Sequence, residues 1–159
     1  MNIKSCLIGL TLASSLALSA CGETAEAPAE DVEGIAGLEV SNPRLVLAPV
    51  SGNPAALYFD LDYSGDRLFS VSAADVAGAG SAMLHDYTTF NLETVMGETT
   101  PQPLKKGERL SFEPGGLHVM AMDVSPDLAP GGTAEVTLIF SGGDKHSFDA
   151  EIRSAGDER

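Results

Sequence analysis

Residues 57–63, Leu-Tyr-Phe-Asp-Leu-Asp-Tyr, switch between two faces with a period of two. The run puts Leu57, Phe59, Leu61 and Tyr63 on one side and Asp60 and Asp62 on the other, the pattern of a half-buried antiparallel strand. Ser64-Gly65-Asp66 reads as a turn and 67–72 as the next strand, so the two are expected to pair as a hairpin. Small residues over 73–80 suit one helical turn or a loop. Strands are expected at 81–89, 93–98 and 108–112, with 101–107 as a connection. Glu113-Pro114-Gly115-Gly116 then makes a tight turn into an apolar strand over 117–122. After a second turn region at 126–132, residues 135–140 point Val136, Leu138 and Phe140 inward. Ser141-Gly142-Gly143-Asp144 reverses the chain into 145–153, which turns Phe148, Ala150 and Ile152 the same way. About eight or nine short strands, Gly and Pro turns, no convincing amphipathic helix and no internal repeat predict an all-β sandwich or barrel.

The first 33 residues do not follow this pattern. Lys4 precedes the apolar run Leu7-Ile8-Gly9-Leu10-Thr11-Leu12-Ala13, and small residues follow it. That is a secretory signal peptide over 1–20, too short for a membrane span. Its ending, Leu18-Ser19-Ala20-Cys21, resembles the bacterial lipobox, which implies a lipid-modified Cys21 and an extracytoplasmic, periplasmic protein held to a membrane only through its acyl chains. Residues 22–33 are acidic and rich in Ala and Pro, and bury too little to repay their ordering entropy. They are expected to form a flexible tether. The folded domain then spans 34–153, and 154–159 is a disordered tail.

Composition removes several classes of function. Nine Lys and Arg against 23 Asp and Glu give a net charge of −14, which is no footprint for nucleic acid. The only two cysteines, Cys6 and Cys21, lie in the leader and at its end, so the domain has neither disulfide nor thiolate ligand. No phosphate-binding glycine loop, His-Glu-x-x-His pair or Ser/His/Asp arrangement stands out, so an enzyme is not expected.

The remaining chemistry is concentrated in 83–122. Apart from Met1, all the methionines (Met83, Met96, Met120, Met122) lie there, with His85 and His118. Imidazole plus thioether without thiolate suits Cu(I), because soft sulfur prefers it to hard cations. Taken singly, a methionine is usually a packing residue, and His85 alone would be an ordinary polar residue. The spacing His85-x10-Met96-x21-His118-x-Met120 is not something core packing demands. Together with the run Pro114-Gly115-Gly116-Leu117-His118-Val119-Met120-Ala121-Met122, it resembles the signature of the periplasmic copper chaperone family PCu(A)C. The likeness extends over about 34–153, including Asn53-Pro54-Ala55-Ala56-Leu57-Tyr58 and Gly65-Asp66-Arg67-Leu68.

That resemblance implies a cupredoxin-like Greek-key β-fold. It also implies a Cu(I) metallochaperone, with His85, Met96, His118 and Met120 as ligands, acting as a monomer. Copper would pass by ligand exchange toward the CuA-carrying subunit of cytochrome c oxidase, with Sco-type thiol proteins as co-workers. Met83 and Met122 are supporting candidates, since strand alternation puts them on the faces of His85 and Met120. His146 falls outside the motif and reads as structural. Asp86 is a candidate to orient the His85 ring, although an exposed aspartate is the simpler reading. The sequence departs from the family where Gly97-Glu98 follows Met96, since members often carry a second methionine there. Two other readings stay open: copper buffering without delivery, and a β-sandwich interaction module with no metal.

Overall fold

Alternation decides the architecture. In the computed structural model, which describes residues 34–157, β2 (Ala55–Tyr63) buries every second residue from Ala55 through Leu57, Phe59 and Leu61 to Tyr63. The leader, Cys21 and the tether expected over 1–33 lie outside the described residues. Ten strands form and no helix does among the described residues. They are β1 (Leu38–Leu47), β2, β3 (Phe69–Val76), β4 (Ser81–Phe90), β5 (Glu93–Glu98), β6 (Gln102–Leu104), β7 (Arg109–Phe112), β8 (His118–Met122), β9 (Thr133–Phe140) and β10 (Lys145–Ser154).

All ten belong to one coiled sheet in the order β5-β4-β8-β2-β1-β10-β9-β3-β6, with β7 also on β2. The sheet curls until β3, near one end, meets β4, near the other. Inside it lie Leu45, Leu57, Phe59, Leu61, Val119, Val136 and Leu138, almost wholly removed from solvent. Phe59 stacks on Phe112 at 4.1 Å between ring centroids and meets Phe148 at 5.4 Å. Tyr63, Phe69 and Phe140 continue the aromatic row. Burial of this apolar face holds the fold together at roughly 25 cal/mol per Å².

Three expectations change. The hairpin expected between 57–63 and 67–72 does not form: β2 pairs with β1, β7 and β8, whereas β3 pairs with β6 and β9. Both strands carry inward apolar rows, and the largely exposed segment 64–68 carries the chain from one to the other, with the Tyr63 and Phe69 rings meeting at 5.2 Å. The count of eight or nine strands becomes ten because β1 has irregular alternation and β6 is only three residues long within the expected connection. The small-residue stretch from Ala73 continues β3 to Val76 instead of coiling, with Ala74 and Val76 buried against the core. One pairing, β1 with β10, is parallel.

The turn at 113–117 fixes where β8 begins. β7 and β8 lie end to end along the same side of β2, with five extra residues between them. A hydrogen bond from Glu113 N to Leu117 O (2.7 Å) closes this excursion, and Gly115 takes a φ of 83° that side chains resist. At the other terminus, β10 runs to Ser154, and Asp157 accepts hydrogen bonds from the Ser154 amide and hydroxyl to fix the final turn.

Candidate metal centre

Register brings the signature residues together. β4 pairs antiparallel with β8 so that Met83 faces Met120, His85 faces His118 and Ser81 faces Met122. β4 also pairs with β5, the edge strand, where Tyr87 faces Met96 and His85 faces Glu98. Directly opposed residues share a sheet face, as do residues two apart on a strand. One face therefore carries His85, Met83 and Tyr87 from β4, His118, Met120 and Met122 from β8, and Met96 from β5. The intervening Leu84 and Val119 point the other way, into the core. The histidine–methionine face is thus the outer surface of the sheet.

The imidazole pair is its centre. The His85 and His118 rings lie 5.9 Å apart, edge to face. His118 is only 3% exposed, and its Nδ1 donates to the Gly116 carbonyl at 2.8 Å. That bond sets the tautomer and leaves the Nε2 lone pair available for coordination. The glycine turn therefore does more than reverse the chain, since its carbonyl aims the ring. His85 Nδ1 is buried and meets no hydrogen-bond partner among the described residues, leaving an unpartnered ring nitrogen that a soft cation would satisfy. Burial, and then the neighbouring His118, lower the pKa of His85, while Glu98 opposes the shift. The net effect favours the neutral, ligating form.

The thioethers are placed less evenly. Met120 is two residues from His118, and Met83 stands opposite Met120. Met96 lies one strand further out, opposite Tyr87 and offset from His85, and is 43% exposed. It sits on the rim of the same face, where its long unbranched side chain can swing. No methionine joins the hydrophobic core or packs against it among the described residues, so the usual packing role does not account for them. Nor do three or more His, Cys, Asp or Glu side chains gather anywhere among the described residues, which leaves no cluster suited to a harder ion.

Two tyrosines complete the surroundings and were not foreseen. Tyr87 lies 5.9 Å and Tyr58 6.3 Å from the His118 ring, with the Arg44 guanidinium 5.1 Å from the Tyr58 centroid. The signals were present: Tyr87 is two residues beyond His85, and Tyr58 sits on the polar face of the alternating strand. These rings shield the buried imidazole from water. Asp86, adjacent to His85 on β4, points to the opposite sheet face, and its carboxylate accepts from the Tyr87 amide at 2.7 Å. His146 is not brought to the site: it lies on β10, three strands from β8, and its ring is 6.4 Å from that of Phe148.

Comparison with known proteins places the family and the fold. The model of the LpqE-like family matches residues 38–152. A protein of Leifsonia xyli subsp. xyli named "Putative lipoprotein Lxx21020" is 32% identical over 143 residues, covering 89% of this chain and 81% of the relative. Among solved structures, the apo PCuAC domain from PmoF1 is 30% identical with a TM-score of 0.61, covering 76% of this chain and 96% of that domain. The Cu(I) form of DR1885 from Deinococcus radiodurans is 25% identical with a TM-score of 0.54, covering 84% and 91% respectively. The expected cupredoxin-like, all-β fold and the family likeness are both borne out.

Proposed function

We propose that this chain, which belongs to the LpqE-like family and shares the fold of PCuAC copper-binding domains, is an extracytoplasmic Cu(I) metallochaperone. One observation carries the reading: on a face turned away from the core, two imidazoles stand opposite each other with thioethers beside them, and one imidazole is locked with its Nε2 free. His85, His118 and Met120 would hold the ion, and Met96 would close over it from the edge strand. Two neutral nitrogens and two neutral sulfurs stabilise a monovalent d10 ion, which has no geometric preference, and the soft thioethers tilt the set toward Cu(I) over harder cations.

Exposure of Met96 gives a route for transfer. An acceptor's donor would displace this rim thioether first, and the imidazoles would follow, so copper changes partner without becoming free. Phe90 and Leu92 stand exposed at the tip of the same hairpin, where an acceptor would meet the site. The acceptor is the CuA-carrying subunit of cytochrome c oxidase, with Sco-type thiol proteins alongside, and a lipid on Cys21 holds the chaperone to the membrane. The lipoprotein name of the curated relative supports that anchor.

Anaerobic titration with Cu(I) against a chromophoric chelator tests the binding. One tight equivalent with mixed nitrogen and sulfur X-ray scattering is expected, weakened about 100-fold or more in His118→Ala, beyond what loss of an outer-shell partner does. Absence of any tight equivalent in the wild type would refute the reading. Deletion of the gene tests delivery: lost oxidase activity supports it, whereas copper sensitivity alone makes the protein a buffer.

A further inference from the structure

We propose that Met83, Met120 and Met122 form a second, all-thioether Cu(I) position beside the imidazole pair, sharing Met120 with it. The inference rests on the copper-chaperone reading and extends it from one holding site to a two-step path along the sheet face.

The geometry comes from one diagonal of the β4–β8 ladder. Beyond its directly opposed pairs, this sheet brings Tyr87 on β4 near His118 on β8, with rings 5.9 Å apart. Tyr87 is two residues past the partner of His118. The equivalent diagonal one step along joins His85 to Met120, and the next joins Met83 to Met122. Met83 also faces Met120 directly, where Cβ atoms of opposed residues stand about 4.5–5.5 Å apart. Each of the three thioethers therefore neighbours another on the same face, either across the ladder or two residues along β8. All three are half-buried, near enough to the surface to be reached and none in the core. Ser81, opposite Met122, contributes only a small hydroxyl to this face.

Chemistry then distinguishes the two positions. The first offers two imidazoles and binds more tightly. The second offers three neutral sulfurs, which suit Cu(I) and little else. Movement between them is ligand exchange alone: copper keeps its +1 charge, Met120 stays bound, and His85, His118 and the rim thioether of Met96 leave as neutral donors while Met83 and Met122 take their place. No proton or electron is transferred. Because thioethers neither protonate in the ordinary pH range nor form disulfides, the second position works where thiols would oxidise.

Cu(I) is diamagnetic, so NMR of the full chain carrying 13C-labelled methionine methyls and 15N-labelled histidine can follow an anaerobic titration methyl by methyl. The first equivalent should move Met96, Met120 and both imidazoles. Further Cu(I) should move Met83 and Met122, with added X-ray scattering from sulfur only. Met83→Leu and Met122→Leu, each close in volume to the native side chain, should abolish this second response and leave the first affinity within about twofold. If Met83 and Met122 stay unmoved through three equivalents while Met96 and Met120 respond, the second position does not exist. Failure of the underlying reading looks different, since His85, His118 and Met96 would then be silent at the first equivalent.

Discussion

His118 shows how one side chain is prepared for a task by its backbone. The Gly116 carbonyl holds the ring, two tyrosines cover it, and the neutral pair partner stands opposite. His146 shows a different consequence of burying imidazole. Desolvation lowers its pKa, and its Nδ1 has no partner among the described residues. The folded state therefore resists protonation that the unfolded chain accepts near pH 6.5. Stability is then level above about pH 6.5 and falls as the pH drops below it, where the unfolded state binds more protons. His146→Phe should reduce this loss in urea unfolding followed between pH 7 and 5, a window above ordinary carboxylate titration, with the share from His85 remaining. Leu92 is strained without compensation: its φ is 70° and it is 98% exposed. A left-handed conformation costs a side-chain-bearing residue about 1–2 kcal/mol. Leu92→Gly should therefore raise the unfolding free energy by up to about 1 kcal/mol, after allowing for the greater freedom of unfolded glycine.

At the scale of elements, the core and the metal face are opposite sides of the same strands. Phe59 anchors the inner side through its stack on Phe112 and contact with Phe148. Phe59→Ala should cost about 3–5 kcal/mol in urea unfolding, as deletion of a buried ring does. Copper affinity should nevertheless persist in whatever fraction remains folded, because the ligands face away from the cavity. The strands themselves were legible because β2, β9 and β10 alternate cleanly, so a period of two gives both the element and its inward face. The candidate site was legible for a related reason: fixed spacing singled out His85, Met96, His118 and Met120, and the β4–β8 register sets two of them directly opposite each other. Pairing was not legible where consecutive strands join different partners. Nothing in the Ser64-Gly65-Asp66 turn distinguishes a hairpin from a crossover, since that choice depends on which distant edges need partners. Tyr58 and Tyr87 were missed because an aromatic residue on a polar face reads as incidental until the neighbouring strand is known.

For the whole molecule, charge is the dominant surface property. A net charge of −14 makes the chain repel itself, while its ion pairs, such as Arg67 with Asp144 and Lys106 with Asp66, are exposed and individually worth little. Screening should therefore stabilise more than it weakens. Raising salt from about 0.01 M to about 0.15 M, which shortens the Debye length from about 30 to about 8 Å, should increase the thermal midpoint; a decrease would mean that the ion pairs outweigh the repulsion. The curled sheet has a further consequence. Since its candidate coordinating side chains occupy an outward surface and its apolar residues fill the opposite one, selection can alter the cargo almost independently of the scaffold. A lineage could exchange thioethers for carboxylates, or lose metal altogether, while retaining the same curled sheet, so descent and cargo are free to diverge.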